Sequence, residues 1–260
     1  MVFAKYLFLY GLLIFLPVVT SLLVIRPAEK QALQAASTEQ DPQPNNGAKS
    51  LHEKYTELKD SLADERNKLA GLYKNAETEA QKNQLLEKAR HLFLQTLQQR
   101  IIPAWYGTPW EFYGASEIPN EGSIACGYFV TTVLRDAGVK LDRVHLAEIE
   151  SETMIRTVIG TPYITRYKNK DIDAFINSIK KAGDAFYIVG LDYHTGFLLC
   201  DKGKTYFIHA YIPSVIKADA YRSYFLRISA YRVTGKISHD PVFVRKWLLG
   251  ESFPNLTVKK

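Results

Sequence analysis

An α+β fold, with helices packed on an antiparallel sheet, is the class this sequence predicts, and three observations predict it. Residues 51–100 hold a proline-free run whose apolar side chains recur every three or four positions. Helical patterns continue to about residue 181. From residue 184 onward the pattern changes to short β-prone runs, two of them joined by DKGK, a hairpin signature. Helices first and strands after, with short connections, favour an antiparallel sheet over alternating βαβ units.

The chain has 260 residues, of which 47% are hydrophobic and 23% charged, enough to build one sizeable core. Its net charge is +6, which favours polyanionic surroundings such as an anionic membrane face or an acidic cell-wall polymer. No run of Lys and Arg interleaved with aromatics is present, so nucleic acid is not an expected partner. Two cysteines exclude a disulfide-dense scaffold, and no CxxC or HExxH spacing suggests a metal.

Residues 6–25 form an uncharged apolar run between Lys5 and Arg26, long enough to span a bilayer, while Pro17 and the small residues after it also suit a signal peptide. Either reading of 1–26 addresses the protein to the cell envelope: exported, periplasmic or membrane-anchored. Residues 27–50 are rich in Pro, Asn and Gln and read as a flexible linker. Residues 51–100 read as a helical stalk or as a hairpin folded on the next domain, and offer a surface for a protein partner. The polar interval from Asn75 to Asn83 permits a bend.

Residues 101–260 read as the chemical domain. A loop rich in Gly, Pro and aromatics leads to Cys126, which opens an apolar helix ending near Gly138. The free N–H groups at a helix start stabilise a thiolate, so Cys126 is a candidate nucleophile, although most free cysteines are simply small buried hydrophobes. Further helices are expected over 145–158 and 172–181. Strands are expected over 184–190, 194–200 and 205–211, with YFLRISAYRVTG extending the sheet and a frayed tail after KWLLG.

A cysteine nucleophile needs a base, and that base needs an orienting group. If DKGK forms an even-numbered loop, paired positions sum to 405, so Cys200 faces Thr205 and His194 faces Tyr211. His209 then lies two residues from that partner, on the same sheet face as His194. The plain alternative for each ring is a satisfied histidine on a strand. His52, His91, His145 and His239 have no evident partner and are assigned no role. A Cys126–Cys200 disulfide competes with the catalytic reading. His194 and Cys200 are about 20 Å apart along a strand, so a sulfur beside His194 is out of bonding range of Cys200.

The ordered segments GTPW, YGAS, ACGYF, LRDAGVKLDR, KAGDAFYI, HTGFLL and GKTYFIHA resemble the NlpC/P60 cysteine peptidases over about residues 103–212. The resemblance implies a papain-like fold, with Cys126 as nucleophile, His194 as base and His209 as the orienting third residue. It implies hydrolysis of amide bonds in peptidoglycan stem peptides, with neither metal nor organic cofactor. Three positions depart from the family pattern: Ala125 stands where Asp is usual, Gly127 where Ser is usual, and Trp110 where Tyr is usual. Trp110 and Tyr113 are expected to wall the cleft and Ala125 and Gly127 to border the substrate, and the altered neighbours direct attention to substrate choice. The competing expectations are a papain-like hydrolase or acyltransferase on another acyl substrate, and an inactive membrane-anchored binding or scaffold protein.

Overall fold

The computed structural model describes residues 49–255. The apolar run 6–25 and residues 27–48 of the expected linker lie outside the described residues, and Ser50, at the end of that stretch, caps the first helix. Among the described residues, no helix is long and apolar enough to cross a membrane.

Two long helices come first, α1 (Leu51–Lys74) and α2 (Glu79–Gln95). Each opens with a capping box: Ser50 and Glu53 on α1, Thr78 and Gln81 on α2. These reciprocal bonds satisfy N–H groups that a helix start leaves free, and they define the turn at 75–78. The hairpin lies against the rest of the fold: Tyr55, Leu62, Ala89 and Phe93 are buried in the same cluster as Phe129, Phe197 and Phe243. Phe93 packs at 5.0 Å from Phe243 and 5.1 Å from Trp247. A π-helical turn, Thr96–Ile101, carries α2 into α3 (Ile102–Trp105).

After the loop 106–125 come α4 (Cys126–Asp136), α5 (Arg143–Glu148) and α6 (Ser151–Val158). The single helix expected over 145–158 is thus two helices. Ile149 is extended, with φ −99° and ψ 171°, and the break turns the chain across the start of α4. Then follow β1 (Ile164–Lys168), α7 (Ile172–Lys181), β2 (Ala185–Leu191), β3 (Thr195–Asp201), β4 (Lys204–Tyr211) and β5 (Ser214–Asp219). The described chain ends with α8 (Tyr224–Ile228), β6 (Tyr231–Gly235) and α9 (Pro241–Leu249).

The strands form one antiparallel sheet in the order β1-β6-β2-β3-β4-β5. The fold is therefore α+β, with helices on both faces. α4, α6, α9 and the α1–α2 hairpin cover the face bearing Phe186, Ile188, Phe197 and Ile208. α7 and Leu226 of α8 cover the opposite face, where Tyr187, Leu198, Cys200 and Phe207 point. The β3–β4 register pairs Cys200 with Thr205 and Phe197 with Ile208, through a two-residue turn at Lys202 and Gly203 with φ of 49° and 72°. Positive φ at both central residues is the turn that matches strand twist.

Two further expectations change. YFLRISAYRVTG does not run on as one strand, because the Ser223 side chain caps a short helix by accepting from Leu226 N–H. That helix buries Leu226, and only the second half of the segment becomes β6, seated between β1 and β2. Residues 251–255 are not frayed: Phe253 is buried, its N–H donates to the Lys140 carbonyl, and its ring packs 5.4 Å from Phe243.

Candidate active site

Cys126 occupies the first turn of α4, after Ala125 in extended conformation (φ −79°, ψ 162°) at the N-cap. Ala125 offers no side-chain cap, but its N–H donates to the Gly114 carbonyl at 2.8 Å. The thiol is free and half-buried. It lines a cavity of about 220 Å³ with Gly127, Ala147, Glu150, Asp192, His194 and Thr195, among others. α4, the α5–α6 break and the β2–β3 turn thus converge on one small space. Cys200 is also free and lies buried on the α7 side of β3, so the alternative of a Cys126–Cys200 disulfide is not what the structure contains.

The helix start does not win the electrostatic contest at Cys126. Burial pushes its thiol above the ordinary cysteine range, while the backbone N–H groups of Thr195, Gly127 and Cys126 itself pull the other way. The resting sulfur is a protonated thiol near neutral pH.

His194 immediately precedes β3, and its Nε2 lies 2.8 Å from Nδ1 of His209 on β4. Both rings are buried, at 6% and 5% exposure. Phe225 stacks on His194 at 4.1 Å and Phe207 stacks on His209 at 4.3 Å. Those apolar walls explain the titration. Desolvation first, and then the neighbouring His209, push His194 down to about 3, and desolvation pushes His209 down to about 4. Both imidazoles are neutral near pH 7.

Side-chain alternation places this pair on the α7–α8 side of the sheet, with Leu198 and Phe207. Cys126 belongs to the helix packed on the other side. The two halves meet only at the end of the sheet, where His194 enters the β2–β3 turn and reaches the cavity. The structure records no hydrogen bond between the Cys126 thiol and either ring.

The four expected substrate-binding positions divide. Gly127 lines the cavity, and a Cβ added there would overlap the Ala147 carbonyl oxygen, so this backbone path admits no serine. Ala125 sits beside the thiol at the N-cap. Trp110 does not line the cavity. It packs 5.0 Å from Tyr211, which in turn lies 6.0 Å from His194, and its Nε1 is buried without a partner. Tyr113 is 90% exposed, touches Phe112 edge-on and does not line the cavity.

Sequence reasoning missed Glu150, Asp192 and Phe225. Among the described residues lining the cavity, the first two alone have acidic or basic side chains of the Asp, Glu, Lys and Arg types, and both are acidic; the third stacks on the candidate base. Phe225 was concealed by the apparent strand, whose only warning was Ser223 as a helix cap. No family model, curated protein or solved structure matches this chain.

Proposed function

We propose that this protein is a thiol-dependent acyl-transfer enzyme, a cysteine peptidase or amidase of the cell envelope that acts on amide bonds of peptidoglycan stem peptides. The observation that carries the reading is the His194–His209 pair at 2.8 Å, with His194 bordering the same cavity as a cysteine at a helix start. In the working tautomer, His194 Nε2–H donates to His209 Nδ1, which leaves His194 Nδ1 with a free lone pair. The opposite tautomer would put a proton on Nδ1 and remove the base.

In the reaction, His194 Nδ1 accepts the Cys126 proton as the sulfur attacks the amide carbonyl. The tetrahedral intermediate collapses to a thioester as the leaving amine takes that proton, and water then releases the acid and restores the thiol. Because the resting pair is a neutral thiol and a neutral imidazole, proton transfer accompanies attack instead of preceding it. The residues supply nucleophile, base and orienting group, so the step calls on no cofactor. The residue types at Cys126, His194 and His209 and the order of the sequence segments support this reading together.

A second reading, a papain-like domain that binds without turnover or scaffolds other proteins, is favoured by the raised Cys126 thiol. A third assigns the same three residues to another acyl substrate, as hydrolase or acyltransferase, and is favoured by Gly127 and Ala125 in place of the usual polar neighbours. Mass analysis of muropeptides incubated with the protein and with Cys126→Ser separates them. Stem-peptide cleavage lost in the variant supports the proposal. No cleavage by the unaltered protein, or equal cleavage by both, overturns it.

A further inference from the structure

Arg143 is a cation buried to 9% exposure outside the three reacting residues. It opens α5, yet its guanidinium turns back into the fold. Nε donates to Thr132 Oγ1 on α4 at 2.7 Å, and Nη2 donates to the carbonyls of Ala115 and Ser116 at 2.8 and 2.9 Å. Its flat face lies 4.8 Å over the ring of Tyr128. Among the described residues Glu117 alone lies within ion-pair range, 3.6 Å away and largely exposed, and Asp136 acts from farther off, so most of the guanidinium is held by neutral oxygens.

Those contacts flank the thiol on both sides. Upstream, Ala115 bridges Ile124, Ser116 N–H donates to the Ser123 carbonyl, and the Gly114 carbonyl receives Ala125 N–H. A Cβ on Gly114 would stand 2.6 Å from Ile124 N, so these two stretches are in close backbone contact. Arg143 therefore grips the strand-like stretch that sets where α4 begins. Downstream, Tyr128 donates its hydroxyl to Glu148 Oε1 at 2.7 Å, next to Ala147, whose carbonyl presses on Gly127.

Resting on the acyl-transfer reading, we propose that Arg143 is a positioning residue that fixes Cys126 from both flanks, holding the 114–116 stretch against Ala125 and the end of α5 against Gly127. It does not touch the reacting atoms. A simple buried arginine would stabilise the fold without distinguishing the thiol from any other core group. A clamp on the cavity wall keeps this thiol, in particular, desolvated and aimed.

Alkylation by iodoacetamide across pH 6–10, with peptide mapping of Cys126 and Cys200, tests the idea without any substrate. It stays informative even if no hydrolysis is ever found. Besides Cys126 itself, the charged or titratable groups lining the cavity among the described residues are Glu150, Asp192, Tyr193 and His194, and none is altered. In Arg143→Met the Cys126 midpoint should fall by about one pH unit, about a tenfold gain in thiolate at pH 7, as the wall loosens and water enters. Cys200 should stay protected. Stem-peptide cleavage, where present, should fall while alkylation rises, a divergence that plain unfolding does not produce. Glu117→Gln, which spares the carbonyl bonds, should leave the midpoint in place. An unchanged Cys126 midpoint in folded Arg143→Met overturns the proposal. If that variant opens both thiols, Arg143→Lys carries the same test: a folded Lys variant with a lowered Cys126 midpoint supports the clamp, and one with the unaltered midpoint overturns it.

Discussion

His194 Nε2 and His209 Nδ1 share one hydrogen bond at 2.8 Å in an apolar pocket of Phe207 and Phe225. One ring must donate and the other accept, so this contact decides which nitrogen of His194 remains free. Replacing His209 by Ala leaves Nε2 of His194 buried without a partner, at a cost of about 1–3 kcal/mol. Under the proposed function, amide hydrolysis should fall about 10- to 100-fold, by analogy with the loss of the outer partner of a metal-ligating histidine. His209→Asn, which keeps an acceptor, should recover part of both. Urea unfolding and rate measurements on the two variants check this.

The same burial sets a pH dependence of stability. Both folded-state values, about 3 for His194 and about 4 for His209, lie below the ordinary 6.5. The unfolded chain therefore binds more protons than the folded one between those values and 6.5. The histidine contribution is fully present above pH 6.5 and is lost as pH falls through that window. Urea midpoints should decline from pH 7 to pH 4, and the His194→Phe, His209→Phe double variant should show a shallower decline. Equal slopes would contradict the burial argument.

Ala125 is an N-cap without a side-chain acceptor. Ala125→Asp should cap α4 and raise stability by about 0.5–2 kcal/mol. The added carboxylate beside the thiol should push Cys126 further up and slow its alkylation at pH 7. Thermal melting and iodoacetamide rates measured on one preparation test both halves.

Gly127→Ser should destabilise the protein. Its Cβ would meet a backbone carbonyl, that of Ala147, which cannot rotate away. A loss of about 1–3 kcal/mol is expected, as for overpacking of a tight core. A urea midpoint equal to that of the unaltered protein would show that the α5–α6 break yields easily.

Tyr55 ties the hairpin to α4. Its hydroxyl donates to Asp136 Oδ2 at 2.8 Å and accepts from Trp105 Nε1 at 2.9 Å. Tyr55→Phe strands two buried groups and should cost about 2 kcal/mol or more, since each unsatisfied partner carries its own desolvation penalty. Chemical unfolding of this single variant gives the answer.

What was legible in the sequence was whatever local chemistry dictates. The Lys202-Gly203 turn fixed the parity of β3 and β4, and with it the shared face of His194 and His209. The α7 helix was readable from Phe175, Ile176 and Ile179 on one face, its first turn closed by Asp171. The break between α5 and α6 was not, because neither Ile149 nor Glu150 is a Gly or Pro, and the close approach of the Ala147 carbonyl to Gly127 just before it is a long-range contact. Arg143 was equally silent, since one arginine in a polar stretch looks like any solvated charge until the carbonyls of Ala115 and Ser116 close around it. The opposite-face placement of Cys126 and the histidine pair follows from how α4 lies on the sheet, which no single segment encodes.

The α1–α2 hairpin has a practical consequence for dissecting the protein. Phe93 and Leu97 are fully buried among Phe129, Phe243 and Trp247, so the first fifty described residues are interior wall and not appendage. A shortened polypeptide beginning at residue 101 would retain Cys126, His194 and His209 but would expose that wall to water. It should be sticky and poorly folded, and its inactivity would say nothing about chemistry. Any unit used in an assay must include α1 and α2, which lie well before the first residue that resembles a catalyst.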